Sequence, residues 1–197
     1  MATSIIDIEN ICLLRQDVQI IKNFSLNISS GEKINIFGKN GSGKTSLIKI
    51  IAGITCPSTG KVSINTNLIP SKDVFYIGHK YGLKNELSVY DNLKYIMSLN
   101  QVNKDIDLEK ELNFYDIKAS INSIVKYLSH GQKKIISLIA LTLTDNKLWI
   151  IDEPFTGLDQ TVVDKFITKM NTHIKNSGSV IVTSHREKED FKNIELC

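Results

Sequence analysis

Branched apolar residues recur along this chain at two spacings, and the spacing divides it into alternating elements. In "VQIIKNFSLNIS" (18–29) and "KINIFG" (33–38) they alternate or bunch over a few residues, which predicts strands, with "SSGE" as the turn between them. "GKTSLIKIIAGI" then sets Leu47, Ile48, Ile50 and Ile51 at helical spacing and reaches Gly53, a helix terminator. "KVSIN" and "DVFYIG" return to the strand pattern. Over residues 83–127 the spacing turns helical, in "VYDNLKYIMSL" and "IDLEKELNFYDI", which predicts a helical subdomain inside a single domain spanning 1–197. "SHGQKKIISLIALTLT" reads as a helix, "KLWIID" as a buried strand, "VVDKFITKMNTHIK" as a helix and "SVIVTS" as a final strand. Strands that alternate with helices, several of them apolar throughout, predict an α/β fold with a mixed, largely parallel sheet flanked by helices on both faces.

The loop between the second strand and the first helix carries chemistry. Gly38, Lys39, Asn40, Gly41, Ser42, Gly43, Lys44 and Thr45 satisfy GxxxxGK[ST] in the strand-to-helix context that the pattern needs, and Ser46 continues it. Glycines let the backbone curl until successive N–H groups point inward at phosphate oxygens, and the helix start adds about half a positive charge. Lys44 brings a full charge toward the β and γ phosphates, while the Thr45 hydroxyl is offered to Mg²⁺. A phosphate cradle also needs a carboxylate for the metal and a group that polarises water. "KLWIIDEP" supplies Asp152 for the first and Glu153 for the second at the end of an apolar strand. Either acid alone would be an ordinary strand-end residue; downstream of this loop the pair has a metal and a water to serve. ATP and Mg²⁺ are therefore the expected ligands.

Composition narrows the setting more than the chemistry. With 197 residues, 42% hydrophobic, the chain is long enough for one well-packed core. A net charge of +3, scattered through the sequence, gives no argument for nucleic acid or a lipid surface, and no nucleic-acid partner is expected. Three cysteines, Cys12, Cys56 and Cys197, lack any metal or disulfide spacing, which points to a reducing compartment. "MATSIIDIEN" has acids where a leader would be basic and then apolar, and no run approaches the roughly 18 apolar residues of a membrane span. If the protein works at a membrane, its anchor belongs to a partner.

"LSHGQ", Leu128 to Gln132, resembles the LSGGQ signature of the ATP-binding-cassette (ABC) ATPases, a branch of the P-loop NTPases. The order of motifs resembles that family too: phosphate loop, helical stretch, signature at 128–132, "WIIDE", "GLD" ending at Asp159 and "VTSH" ending at His185. The resemblance implies two chains pairing head to tail around two ATP molecules. It implies that Ser129, Gly131 and Gln132 meet the γ-phosphate held by the partner's Lys44. Asp159 would lie at the seam, and His185 would contact the γ-phosphate and steady Glu153.

Two positions depart from the family. His130 stands where the signature has glycine, so an imidazole has to fit beside the sandwich. Alignment of "YIGHKYGLKNELSV" sets His79 where cassettes place a metal-touching glutamine. An imidazole can accept a hydrogen bond from metal-bound water, so His79 is a candidate for both metal and catalytic duty; the alternative is a structural histidine at a strand end. Upstream, Arg15 falls where an aromatic commonly stacks on adenine. A guanidinium also stacks on bases, and the alternative is a surface arginine.

"YIGHKYGLKNELSVYDNL" and "LWIIDEPFTGLD" are similar to the cytochrome c biogenesis branch of the family, the haem exporter ATPases. That resemblance implies an integral membrane subunit of the CcmB type as partner, a place at the cytoplasmic face of the bacterial inner membrane, and no direct haem contact by the ATPase. Either haem export or release of a haem-loaded chaperone would be the powered step. The expected docking groove runs from His79 to Leu93, with Tyr81, Leu83 and Leu87 either receiving a partner helix or packing inside the helical stretch, and with Glu86 and Asp91 at the rim. The alternatives are the ATPase of another small exporter, for lipid, peptide or metal, and a soluble cassette clamping nucleic acid or ribosomes.

Overall fold

The computed structural model describes residues 4–16, 18–65, 68–102, 104–117 and 121–196; Cys197 and the first three residues of the "MATSIIDIEN" reading lie outside them. In chain order the first half comprises β1 (Ser4–Arg15), β2 (Val18–Ser29), β3 (Lys33–Phe37), α1 (Lys44–Ile51), β4 (Thr59–Ile64), α2 (Pro70–Asp73) and β5 (Val74–Ile77). The second half comprises α3 (Val89–Leu99), α4 (Leu108–Phe114), a 3₁₀ turn (Val125–Tyr127), α5 (His130–Thr142), β6 (Leu148–Ile151), α6 (Gln160–Lys175), β7 (Ser179–Ser184) and β8 (Lys192–Glu195).

The strands separate by pairing direction into two sheets. One is antiparallel, ordered β2-β1-β4; the other has five strands, all parallel, ordered β5-β6-β7-β3-β8. The mixture expected within one sheet is thus a mixture of layers. The cause is connection length: only two residues separate β1 from β2, which only antiparallel pairing allows, whereas the connections β3–β5, β5–β6 and β6–β7 carry helices. Two strands, β1 and β8, go beyond those the apolar spacing predicts.

The parallel sheet separates two cores. Leu148 and Ile150 of β6 face one, with Ile34 and Ile36 of β3, Leu47, Ile48 and Ile51 of α1, and Ile6 and Ile8 of β1. Trp149 and Ile151 face the other, with Leu93 and Met97 of α3, Leu112 of α4, Ile136 and Ile139 of α5 and Phe166 of α6. β6 is buried at all four positions, with apolar partners on both sides, which explains the unbroken "LWII". Each such apolar side chain contributes about 1.5–3 kcal/mol on full burial. Helices α3 and α4, within 83–127, share this second core rather than enclosing one of their own.

Parallel register sets the site. Ile77 pairs with Ile151, Ile151 with Val182 and Phe37 with Ser184, so β5, β6, β3 and β7 end at one edge. Gly78–His79, Asp152–Glu153, the phosphate loop and His185 all leave the sheet there, at the carboxyl ends where open α/β sheets bind ligands. Among the described residues no helix is long and apolar enough to cross a membrane.

Candidate active site

The glycines hold the loop between β3 and α1 in a shape that side chains would prevent. A Cβ on Gly38 would lie 2.3 Å from the Leu196 carbonyl oxygen, and one on Gly43, at φ +94°, would lie 2.7 Å from Ile20 Cγ2. Gly43 is also the N-cap of α1, and no side chain caps that helix. Its first-turn N–H groups and the positive end of its dipole are left to an anion. Lys44 is buried, and its Nζ donates to the carbonyls of Gly38 at 2.7 Å and Lys39 at 2.9 Å, which closes the loop around the ammonium. Ser42 Oγ is buried with no protein partner, an unused polar group inside the cradle.

Three side chains converge on Asp152, which is only 4% exposed. Thr45 Oγ1 donates to its Oδ2 at 2.8 Å, Thr183 Oγ1 donates to its Oδ1 at 2.6 Å, and His79 Nε2 lies 3.2 Å from Oδ2. A Mg²⁺ ion takes oxygen ligands, few of them from protein, and leaves the rest to water and substrate phosphates. A hydroxyl and a carboxylate oxygen in contact beside a phosphate cradle fit that habit. Among the described residues no cluster of three or more His, Cys, Asp or Glu forms a cage for a metal, which such a substrate-completed site does not require. Nearby, burial first and the Asp152 charge second push the Tyr76 phenol up to about 12, so it stays neutral beside the carboxylate.

Glu153 is held at both ends and along its side chain. Its backbone is left-handed, at φ +48°. Its N–H donates to Thr183 Oγ1 at 2.9 Å, and its carbonyl accepts from Lys134 Nζ at 2.6 Å. The carboxylate meets His185 Nε2 at 3.2 Å through Oε1, and Thr156 Oγ1 donates to Oε2 at 3.4 Å. Lys134 also donates to the Thr156 carbonyl at 2.7 Å; burial pushes its ammonium below the usual lysine range, while the Glu153 and Asp152 charges oppose that shift. Sequence reasoning missed Lys134 and Thr183. The signal was present in "GQKK" and "VTSH", but nothing local says that a lysine will meet carbonyls 19 and 22 residues onward.

Arg15, Ile20, Asn40, Gly41, Gly43, Lys44, Thr45, Ser46, His79 and Glu153 line one open cavity of about 490 Å³. Arg15 thus lies on the wall of the pocket that holds the phosphate loop. Ser129, Gly131, Gln132 and Asp159 do not line it. Ser129 caps α5 instead: its Oγ accepts from Gln132 N–H at 3.2 Å, and Gln132 Oε1 accepts from Ser129 N–H at 2.9 Å. His130 and Asp159 are exposed, Asp159 as the N-cap of α6 without a side-chain capping bond. In the candidate groove Tyr81 and Leu83 pack against the helical core, Leu87 stays 37% exposed, and Glu86 pairs with Lys126 at 3.1 Å on the surface. Asp91 accepts from Ser88 Oγ at the start of α3.

Replacing His79 tests its tie to Asp152. His79→Ala is expected to lower turnover about tenfold through loss of an outer-shell partner, with ATP affinity nearly kept. Steady-state ATPase assays read this directly; unchanged turnover would leave His79 a structural residue.

The sequence profile of the ABC transporter family matches residues 21–156. The cytochrome c biogenesis ATP-binding export protein CcmA of Haemophilus ducreyi is 34% identical over 192 residues, covering 94% of this chain and 91% of that protein. The CcmA protein of Photobacterium profundum is 30% identical over 200 residues, covering 92% and 93%. A putative ABC transporter ATP-binding protein of Pyrococcus furiosus superposes with a TM-score of 0.79 at 23% identity, covering 97% of this chain and 96% of that one. The ATP-binding cassette MJ0796, a dimer in a post-hydrolysis state with ADP and Pi, superposes with a TM-score of 0.78 at 20% identity, covering 92% and 88%. At these identities the two structures establish the fold.

Proposed function

The chain belongs to the ABC transporter family of ATP-binding proteins, and on that premise we propose that it is the ATP-hydrolysing subunit of an ABC export complex serving cytochrome c biogenesis. The observation that carries the mechanism is the division of its motifs. The phosphate loop, His79, Glu153 and Arg15 share one cavity, whereas the signature residues and Asp159 lie outside it on the surface. A second copy of the chain, docked head to tail, would complete each site. The dimeric form of MJ0796 supports that reading.

In the paired state, Lys44 and the start of α1 bind the phosphates, and Arg15 stacks on the base. Thr45 and Asp152 would hold Mg²⁺, with His79 beside the Asp152 carboxylate. The ion would supply charge neutralisation at the phosphates. Glu153 accepts the proton of the attacking water, and His185 fixes the carboxylate and donates toward the γ-phosphate. From the partner chain, the Ser129 hydroxyl accepts from Gln132 N–H and so keeps its own proton for a phosphate oxygen. Gly131 allows the backbone to approach, and the capped N-terminus of α5 adds its dipole. Asp159 lies at the seam. ATP binding closes the pair and hydrolysis reopens it.

The membrane partner is an integral subunit of the CcmB type at the cytoplasmic face of the inner membrane. The ATPase itself touches neither haem nor nucleic acid. The exposed Leu87, Tyr90 and Tyr127 beside the Glu86–Lys126 pair form the part of the groove open to such a subunit. Exposed apolar side chains with one removable charge pair suit a reversible contact. Glu86→Lys sets like charges together there and is expected to reduce recovery of the integral subunit with the tagged ATPase several-fold on solubilised membranes. Equal recovery would move the interface elsewhere, and absence of any integral subunit with the unaltered chain would overturn the transport reading.

A further inference from the structure

We propose that Lys134 is a positioning residue for hydrolysis, locking the turn that carries Glu153 to the signature helix so that base and helix move as one body. The proposal rests on the paired-chain reading above and adds a residue that the motifs do not contain.

Lys134 lies in the second turn of α5, five residues beyond the N-cap Ser129. It is 8% exposed, and its ammonium spans the two ends of the turn that follows β6, donating to the carbonyl of Glu153 at 2.6 Å and that of Thr156 at 2.7 Å. Buried lysines are rare unless paired. Among the described residues no carboxylate takes the charge directly; two backbone carbonyls do, one of them belonging to the candidate base. Glu153 needs such a clamp because its left-handed backbone is costly for a residue with a side chain. Thr183 holds the N–H side of the residue and Lys134 holds the carbonyl side. The start of α5 also approaches the same turn further on: a Cβ on Gly131 would lie 3.9 Å from the Gly157 carbonyl oxygen.

The consequence is a mechanical link between two sites. In the paired arrangement α5 reads the nucleotide bound by the other chain, while Glu153 serves the nucleotide of its own. Lys134 joins them through one rigid helix and two short charge-assisted bonds. Closure on one nucleotide therefore sets the base at the other.

Lys134→Met removes the ammonium and keeps the length and much of the packing; Lys134→Arg keeps the charge and two or more donors. Both are compared with Glu153→Gln in the full chain by steady-state ATPase kinetics and by ATP-dependent pairing on a sizing column. Lys134→Met is expected to keep KM for ATP within about threefold and to keep ATP-dependent pairing, while kcat falls about a hundredfold, the cost of a misplaced catalytic group. Lys134→Arg should recover most of that loss. A kcat for Lys134→Met within twofold of the unaltered chain overturns the proposal, as does an arginine variant no better than methionine, or joint loss of pairing and turnover. If Glu153→Gln itself hydrolyses ATP normally, the underlying assignment of the base fails instead.

Discussion

Lys44→Ala is expected to abolish ATP binding in the range where the unaltered protein saturates. The side chain supplies the buried positive charge of the phosphate loop, whose other lysine, Lys39, is exposed, and hydrogen bonds to charged groups contribute about 1.5–3 kcal/mol each. Losing the remaining N–H donor to a phosphate oxygen together with the full charge beside the β and γ phosphates lowers affinity by about a hundredfold or more. The alanine variant also leaves the Gly38 and Lys39 carbonyls without their donor, so the loop loses the ammonium that closes it. The helix itself should persist, because Leu47, Ile48, Ile50 and Ile51 anchor α1 in the core independently of position 44. Calorimetric titration with ATP, beside a circular dichroism spectrum, separates lost binding from lost fold. Binding within threefold of the unaltered chain would remove Lys44 from the site.

Glu153→Gln should separate binding from chemistry. Glutamine keeps the length of the side chain and a carbonyl oxygen for Thr156 Oγ1 and His185, so ATP affinity is expected to stay within a few-fold. What it cannot do is accept the proton of the attacking water. General-base catalysis contributes about 10²–10⁴ in rate, and kcat should fall by that amount. With hydrolysis blocked, ATP holds the two chains together, and a stable pair should accumulate on a sizing column in the presence of ATP and Mg²⁺. Normal hydrolysis by this variant would place the base elsewhere.

What was legible in the sequence was local. The phosphate loop, α1 and "WIIDE" each carry their reasons in consecutive residues: glycines at fixed offsets, apolar residues at one spacing, acids at the end of an apolar run. β1 was illegible because its apolar residues do not alternate cleanly. Register shifts between Ile8 and Ile11 and between Ile11 and Leu13 break the period, with Asn10 turned to φ +47°. β8 has one branched apolar residue, Ile194, in "KNIE"; it is a strand because β3 offers it an edge, which no local pattern records. The separation into two sheets has the same origin, since partner choice is a property of the whole chain. Arg15 and Glu153 are far apart in sequence, and only the parallel register and the hairpin of β1 and β2 bring them to one cavity. Lys134 is the extreme case, a residue whose meaning lies entirely in the backbone of another element.

The readings of Tyr81 and Leu83 illustrate the other limit. Both an interface and a core want apolar side chains, and sequence offers no criterion between them. The fold decides for these two by packing them against the helical core, leaving Leu87 as the exposed member.

In the proposed function this ATPase powers a step in cytochrome c maturation with Glu153 as the carboxylate that activates water. The most direct measurement is the content of covalent c-type cytochromes, by haem staining of membranes, in native cells deleted for this chain and complemented with either the unaltered protein or Glu153→Gln. Deletion is expected to remove the c-type cytochromes, the unaltered chain to restore them, and Glu153→Gln, present at equal level, to leave them absent. Full cytochrome content in the deletion, or full restoration by Glu153→Gln, would contradict it.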